Sequence, residues 1–199
     1  MAKIGIVCKA SFSHGMGHLV RQCHIAKILQ DRGAVITFFI PDYPPAESWL
    51  DRCQFPREIL NDPLTEKETG PLDIIILDIQ DTSSAFIKKI KQGKKTVVSF
   101  EDCGEGRNHV DLLIDCNLEE KNSVDMSAQT LFGPDYSVLA PEFEALHAKK
   151  RQFNRPIDSV LITFGGTDPH SLTPLLADKL LQIQPNLSMT LLAGPGCKN

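Results

Sequence analysis

The sequence has few of the features that mark membrane-spanning, secreted or nucleic-acid-binding proteins. No apolar run approaches the ~18 residues of a transmembrane helix, and Met1–Cys8 lacks the small-residue cleavage pattern of a signal peptide. The 21 basic residues do not outnumber the 25 acidic ones, and the net charge is −4, whereas duplex-binding modules carry a basic stripe. We therefore expect a cytoplasmic protein with no membrane span and no nucleic-acid partner.

Cysteine and histidine spacing offers neither a metal site nor a disulfide framework. None of the 6 cysteines lies within three residues of another, which excludes the common zinc and redox motifs. No His, Cys or carboxylate cluster has metal-ligand spacing, so we expect no metal and no cofactor. Cys8 and Cys23 fall in apolar patterns, where a free thiol packs as a small hydrophobic side chain.

Short apolar runs alternate with segments of helical periodicity along the whole chain. The runs are Ile4–Cys8, Val35–Ile40, Ile74–Leu77 with Ile79, Thr96–Phe100, Leu112–Ile114, Val160–Phe164 and Met189–Ala193, and the helical segments are His18–Arg32, Ala46–Cys53, Ser84–Gln92 and Leu172–Ile183. Continuous apolar runs are typical of strands covered on both faces. The alternation predicts an α/β fold with a Rossmann-like parallel sheet.

Two interruptions divide this pattern. Residues 60–72, with Pro63, Gly70 and Pro71, predict a surface loop. Residues 141–156 are rich in charge and predict a linker between a domain at 1–140 and the beginning of a second one at 157–199. A single βαβ unit cannot cover both faces of its sheet, so we expect the second domain to be completed by more of its own chain or by another subunit.

A glycine-rich turn follows the first predicted strand, and a helix follows the turn. Gly15 and Gly17 let the backbone approach a ligand, and the helix N-terminus offers free amides to a phosphate. His18 and Arg21 are three residues apart and share a helix face, which suits proton transfer beside a phosphorylated substrate. The alternative is a βα turn that only displays polar side chains.

The same turn does not match either of two common nucleotide-binding motifs. Val20 stands where the dinucleotide fingerprint has its third small residue, although Asp42 lies near the spacing of the ribose-binding acid. The chain contains no Gly-x-x-x-x-Gly-Lys-Ser/Thr motif. These patterns disfavour a nicotinamide site and argue against an ordinary nucleoside triphosphatase.

A second glycine turn, Gly165-Gly166, follows the strand predicted at Val160–Phe164. Thr167 offers a hydroxyl there, and Asp168 is a possible cap for the next helix. Ligands of open α/β folds bind outside the carboxyl ends of the strands. Two such turns facing each other predict a cleft between the two domains.

Taken together, these motifs resemble a family. They are similar to the nucleotide-sugar hydrolase of pseudaminic acid biosynthesis and its spore-coat polysaccharide relatives, within the glycosyltransferase-B group that includes the lipid II-forming N-acetylglucosaminyltransferase. The resemblance extends over essentially the whole chain. Its residues are Gly15–Arg21, Ile76–Asp78, Ser99–Asp102, Tyr136–Leu139 and Gly165–Pro169.

The resemblance implies metal-free hydrolysis of a UDP-linked amino sugar, of the UDP-2,4-diacetamido-2,4,6-trideoxy-hexose type, at its anomeric carbon. His18 would be the base that activates water, and UDP would lie near Gly166, Thr167, Ser171 and Thr173. Asp78 and Asp102, and less so Glu101, lie at strand ends, where they either orient sugar hydroxyls or cap the next helix. The alternatives are a UDP-sugar glycosyltransferase and a truncated, non-catalytic nucleotide-sugar-binding subunit.

Overall fold

A computed structural model describes residues 1–60, 64, 69–117, 129–150, 156–194 and 197. Its larger sheet has seven parallel strands in the order β3-β2-β1-β4-β5-β6-β7. These strands are β1 (Lys3–Cys8), β2 (Val35–Ile40), β3 (Arg57–Ile59), β4 (Ile74–Asp78), β5 (Thr96–Phe100), β6 (Leu112–Asp115) and β7 (Gln129–Phe132). The predicted Rossmann-like α/β fold is confirmed.

Helices follow most of the strands. They are α1 (Gly17–Asp31), α2 (Pro44–Cys53), α3 (Ser84–Ile90), α4 (Glu142–His147) and α5 (Leu172–Ile183), with short 3₁₀ turns at Glu105–His109 and Pro134–Tyr136. In the part of the chain that the structure describes, no helix is long and apolar enough to cross a bilayer.

The central strands are largely apolar, and both faces of the sheet are buried there. Ile6 and Phe38 belong to the cluster beneath α1 and α2, whereas their neighbours Val7 and Phe39 belong to the cluster beneath α3. Successive side chains of a strand point to opposite faces. Helices on both faces of a parallel sheet therefore require an uninterrupted apolar run.

The order of the strands creates a crevice beside β1. From β1 the chain proceeds outward to β2 and β3, then returns to place β4 on the other side of β1. The helix after β1 packs on one face of the sheet, and the helix after β4 packs on the other. Ligands of open α/β sheets bind at such a switch point, outside the carboxyl ends of the strands.

A smaller unit follows α4. Strands β8 (Ser159–Thr163) and β9 (Ser188–Leu192) pair in parallel, and α5 connects them. Several of its apolar side chains are exposed, among them Leu175 at 55% and Leu192 at 56%.

Some predicted boundaries differ from the structure. The edge strands β3 and β7 were not predicted, and α4 lies inside the segment expected to be an irregular linker. Part of that linker, residues 151–155, lies outside the described residues, as do 61–63 and 65–68 of the predicted loop. Leu64, within that loop, is buried in the core.

Candidate functional site

The turn after β1 presents an open helix end at the switch point. Gly15 has φ = +72°, which glycine adopts freely, and its amide donates to the Ser11 carbonyl over 2.8 Å. Helix α1 then begins with Met16 as its N-cap, without a side-chain capping bond and without an acidic residue in the first turn. The first amides of α1 are thus available to an anion.

His18 is held by a buried carboxylate at the end of β4. Its Nδ1 lies 2.7 Å from Oδ1 of Asp78, whose side chain is fully buried, while the imidazole is 27% exposed. Because the carboxylate accepts, Nδ1 carries the hydrogen, and the lone pair of the neutral ring lies on Nε2. Nε2 has no hydrogen-bond partner among the described residues, so it is available as a base.

Arg21 donates to two carboxylates. Its Nε and Nη2 each lie 2.6 Å from an oxygen of Asp78, and its Nη1 lies 2.6 Å from Oε2 of Glu101. A guanidinium fork matches this geometry. Arg21 was predicted to bind substrate, but all three of its nitrogens are engaged with protein carboxylates. These bonds order the site, and a contact of Arg21 with substrate stays a prediction.

Asp78 accepts four hydrogen bonds, because Nε2 of Gln22 adds a contact of 2.9 Å to those from His18 and Arg21. Burial disfavours its charged form, but the bonds from Arg21 and His18 outweigh this effect and lower the pKa of Asp78. Both oxygens accept hydrogen bonds within the protein, and the side chain is buried. A contact of Asp78 with substrate stays a prediction.

Glu101 forms a charged cluster together with His18, Arg21 and Asp78. Of the acids at the strand ends, it was the weakest candidate for a substrate contact in the sequence. It follows β5 with φ = +49° and accepts from Arg21 and, over 2.8 Å, from Sγ of Cys116. Burial opposes its ionisation, yet the bonds from Cys116 and Arg21 lower the pKa of Glu101. The Arg21 guanidinium also lies 5.7 Å from the centre of the Phe100 ring. Only its position at a strand end indicated Glu101 in the sequence.

Asp102 was expected either to orient sugar hydroxyls or to cap the next helix, and its contact with substrate stays a prediction. Its fully buried carboxylate accepts from the Thr82 amide and hydroxyl, from the Gly104 amide at 2.9 Å and from the Ser99 hydroxyl at 3.3 Å. A Cβ atom at Gly104 would lie 2.3 Å from the Thr82 carbonyl oxygen. Asp102 therefore ties together the loops that follow β4 and β5.

The second glycine turn lies against the start of α1. A Cβ atom added at Gly166 would lie 3.4 Å from the Met16 amide nitrogen and 3.8 Å from Gly15 Cα. Gly17, Arg21 and Gly166 are among the residues that line one cavity of about 460 Å³. The structure thus brings Gly166 close to Gly15 and Gly17.

The N-terminus of α5 does not offer the predicted anion site. Asp168 accepts from the amides of Leu172 and Thr173, each at 2.8 Å, and these bonds lower its pKa. A fixed carboxylate on these amides repels a diphosphate. The predicted contact of Thr173 with UDP stays a prediction. Ser171 is exposed, and Thr167 is buried.

Buried thiols surround the cluster without contributing charge. Cys8 and Cys23 lie in the core cluster beneath α1, as expected. Burial raises the pKa of Cys8 well above its usual value and that of Cys23 to about 12. Within the described ranges, no three His, Cys, Asp or Glu side chains form a potential metal site.

The strand order defines a Rossmann-like α/β fold, and comparison with solved structures agrees. No family model matches the chain. The crystal structure of MurG from Acinetobacter baumannii matches it with a TM-score of 0.58 at 12% identity, over 97% of this chain and 68% of that one. At this identity the match shows the fold.

Two curated proteins are similar in sequence. An uncharacterized protein of Methanocaldococcus jannaschii is 26% identical over 97% of this chain and 43% of its own length. The spore coat polysaccharide biosynthesis protein SpsG of Bacillus subtilis is 27% identical over 85% of this chain and 52% of its own. The chain spans about half the length of these relatives.

Proposed function

We propose that this chain acts on a nucleotide-sugar and hydrolyses a UDP-linked amino sugar to free sugar and UDP. The observation that carries the proposal is the state of His18. Asp78 fixes its Nδ1 at 2.7 Å, and its Nε2 is left as the basic nitrogen beside an uncapped helix end. The similarity to a polysaccharide biosynthesis protein agrees with such a substrate. The 2,4-diacetamido-2,4,6-trideoxy-hexose remains the proposed sugar.

In the proposed reaction His18 is the general base. Its Nε2 takes a proton from water while the water oxygen forms a bond to the anomeric carbon. The bond between that carbon and the diphosphate oxygen breaks, and UDP leaves with the electron pair. The imidazolium that forms is stabilised by Asp78, as in other histidine–carboxylate pairs.

The diphosphate binds between the two glycine turns. The free amides at the start of α1 supply hydrogen-bond donors and the positive end of the helix dipole, which stabilise charge on the leaving group. Gly166 faces the Met16 amide across a gap that a side chain would occupy. Asp168 excludes the start of α5 from this role, so we assign the phosphates to the α1 side.

Sugar transfer is the second candidate, because Nε2 of His18 can deprotonate an acceptor hydroxyl as well as water. The MurG-like fold is compatible with it. The products distinguish the two reactions: a hydrolase releases free sugar and UDP without any acceptor, whereas a transferase requires one. Binding of UDP-sugar without turnover in either assay would identify a non-catalytic binding subunit.

The test compares UDP release from a panel of UDP-amino sugars by the wild type, His18→Gln and His147→Gln. His147 is an exposed histidine of α4 and serves as the matched control. We expect His18→Gln to lower kcat by about 10²–10⁴-fold, the range for loss of a general base, with His147→Gln unchanged. Equal rates in all three proteins would remove His18 from the mechanism.

A further inference from the structure

We propose that Glu101 is a positioning residue that controls, through Arg21, how readily His18 accepts a proton. The inference rests on the proposed role of His18 as the base. It concerns a residue that contacts neither His18 nor the proposed substrate.

Arg21 by itself would make His18 a poorer base. Its Nη2 lies 3.3 Å from Nδ1 of His18, and a guanidinium at this distance disfavours a second positive charge on the ring. Asp78 acts in the opposite direction over 2.7 Å. With only these two partners, the opposing charges largely cancel at the imidazole.

Glu101 adds a second negative charge, so the charges of the cluster no longer cancel. It binds the far side of the guanidinium, at Nη1, over 2.6 Å. Two carboxylates and one guanidinium leave the cluster with one net negative charge while His18 is neutral. That charge is neutralised when His18 takes a proton, which is the step that general-base catalysis requires.

The structure holds Glu101 in this position by several contacts. Its backbone is in the left-handed region, with φ = +49°, an uncommon and costly conformation for a residue other than glycine. Its second oxygen accepts from Sγ of Cys116 at 2.8 Å, and its amide donates to the Ile114 carbonyl at 2.9 Å. Both carboxylate oxygens therefore have protein partners, which agrees with positioning and not with binding of substrate.

Two thiols beside the cluster have raised pKa values, which favours their neutral form. Cys8, on β1, has its pKa raised by burial and by Asp78. Cys116, which follows β6, has its pKa raised by its bond to Glu101. The charged side chains that contact His18 or one another in this cluster are Arg21, Asp78 and Glu101. Among these three, Glu101 supplies the second negative charge.

The test uses Glu101→Gln, which keeps an oxygen for Arg21 and removes the charge. The matched control is Glu105→Gln, an exposed glutamate at the start of the 3₁₀ turn that follows. The ring of His18 is titrated by NMR in the substrate-free protein. We expect the midpoint to fall by about one pH unit in Glu101→Gln, the low end of the effect of a nearby charge, and to stay in place in Glu105→Gln.

Kinetics give the second measurement. The acid limb of kcat/KM for UDP release should move to lower pH in Glu101→Gln, and kcat should fall roughly 3- to 10-fold with KM little changed, because a weaker base removes a proton more slowly. In Glu101→Asp, which keeps the charge, the His18 titration midpoint should lie between those of Glu101→Gln and the wild type. Thermal unfolding confirms that each variant is folded at the assay temperature.

Different results would contradict the role of Glu101 and the proposed function. An unchanged His18 midpoint in a folded Glu101→Gln protein would overturn the role of Glu101, even if the wild type releases UDP. A shifted midpoint in a wild-type protein that turns over no UDP-sugar would overturn the proposed function and leave the charge coupling intact.

Discussion

Replacing Asp78 by Asn is the sharpest perturbation of the cluster. The side chain is fully buried, and its two oxygens accept from His18, from Arg21 twice and from Gln22. Asn has the same shape but one acceptor oxygen and an NH₂ donor. Two of the four donors then face another donor, and the Arg21 charge keeps only Glu101.

The expected loss of stability follows from this geometry. Breaking a buried ion pair by removing one partner costs about 3–5 kcal/mol. In a protein of this size each kcal/mol moves Tm by about 2–4 °C, so Tm should fall by roughly 6–20 °C. Asp31→Asn is the matched control: its carboxylate forms an exposed pair with Lys27 on the same helix, which contributes less than about 0.5 kcal/mol.

The expected loss of activity has a separate cause. Without the carboxylate on Nδ1, the imidazole is no longer held with its lone pair on Nε2. In the serine-protease template the same change lowers kcat by about 10⁴, and here we expect roughly 10³–10⁴. The assay is UDP release below the Tm of the variant, with the tautomer of His18 read by ¹⁵N NMR.

One result would refute this reasoning. Suppose that the free energies of unfolding of Asp78→Asn and Asp31→Asn agree within about 1 kcal/mol, and that Asp78→Asn retains its kcat and the Nδ1–H tautomer of His18. Asp78 would then neither stabilise the cluster nor orient His18.

Two further predictions follow from the same geometry. Gly166→Ala places a methyl group against the Met16 amide at 3.4 Å, and should raise KM for the UDP-sugar about tenfold with Tm nearly unchanged; an unchanged KM would move the diphosphate away from this gap. The pKa values of Asp78 and Glu101 are lowered in the folded protein. Their ionised forms therefore stabilise the fold at pH values above the unfolded-state pKa, near 4. This stabilisation is lost as the pH falls through the folded-state pKa values. Tm measured from pH 6 to pH 3 should therefore drop more steeply in the wild type than in Asp78→Asn.

The central strands of the fold could be predicted from the sequence, and its edges could not. Strands β1 and β4 are buried on both faces, so their runs are apolar enough to be recognised within a residue or two of their bounds. The edge strand β3, with the sequence Arg-Glu-Ile, lies mostly in solvent and carries no such pattern. This segment is a strand because it pairs with β2, and the sequence carries no local signal of that pairing.

The candidate site shows a similar division. The helical spacing of His18 and Arg21 predicted their common face, because that relation is local. Their shared partner Asp78 is 57 residues beyond Arg21, and only the pairing of β1 with β4 brings it there. Glu101 and Asp102 are neighbours at one strand end, and the left-handed backbone at Glu101 directs one to the site and the other into the protein.

The central claim is that the basic nitrogen of His18 faces a diphosphate bound at the start of α1. A crystal structure of the protein with UDP tests it most directly. The account predicts phosphate oxygens within hydrogen-bonding distance of the first amides of α1 and beside Gly166, with Nε2 directed toward them. UDP bound elsewhere, with the His18 ring turned away from it, would contradict the account.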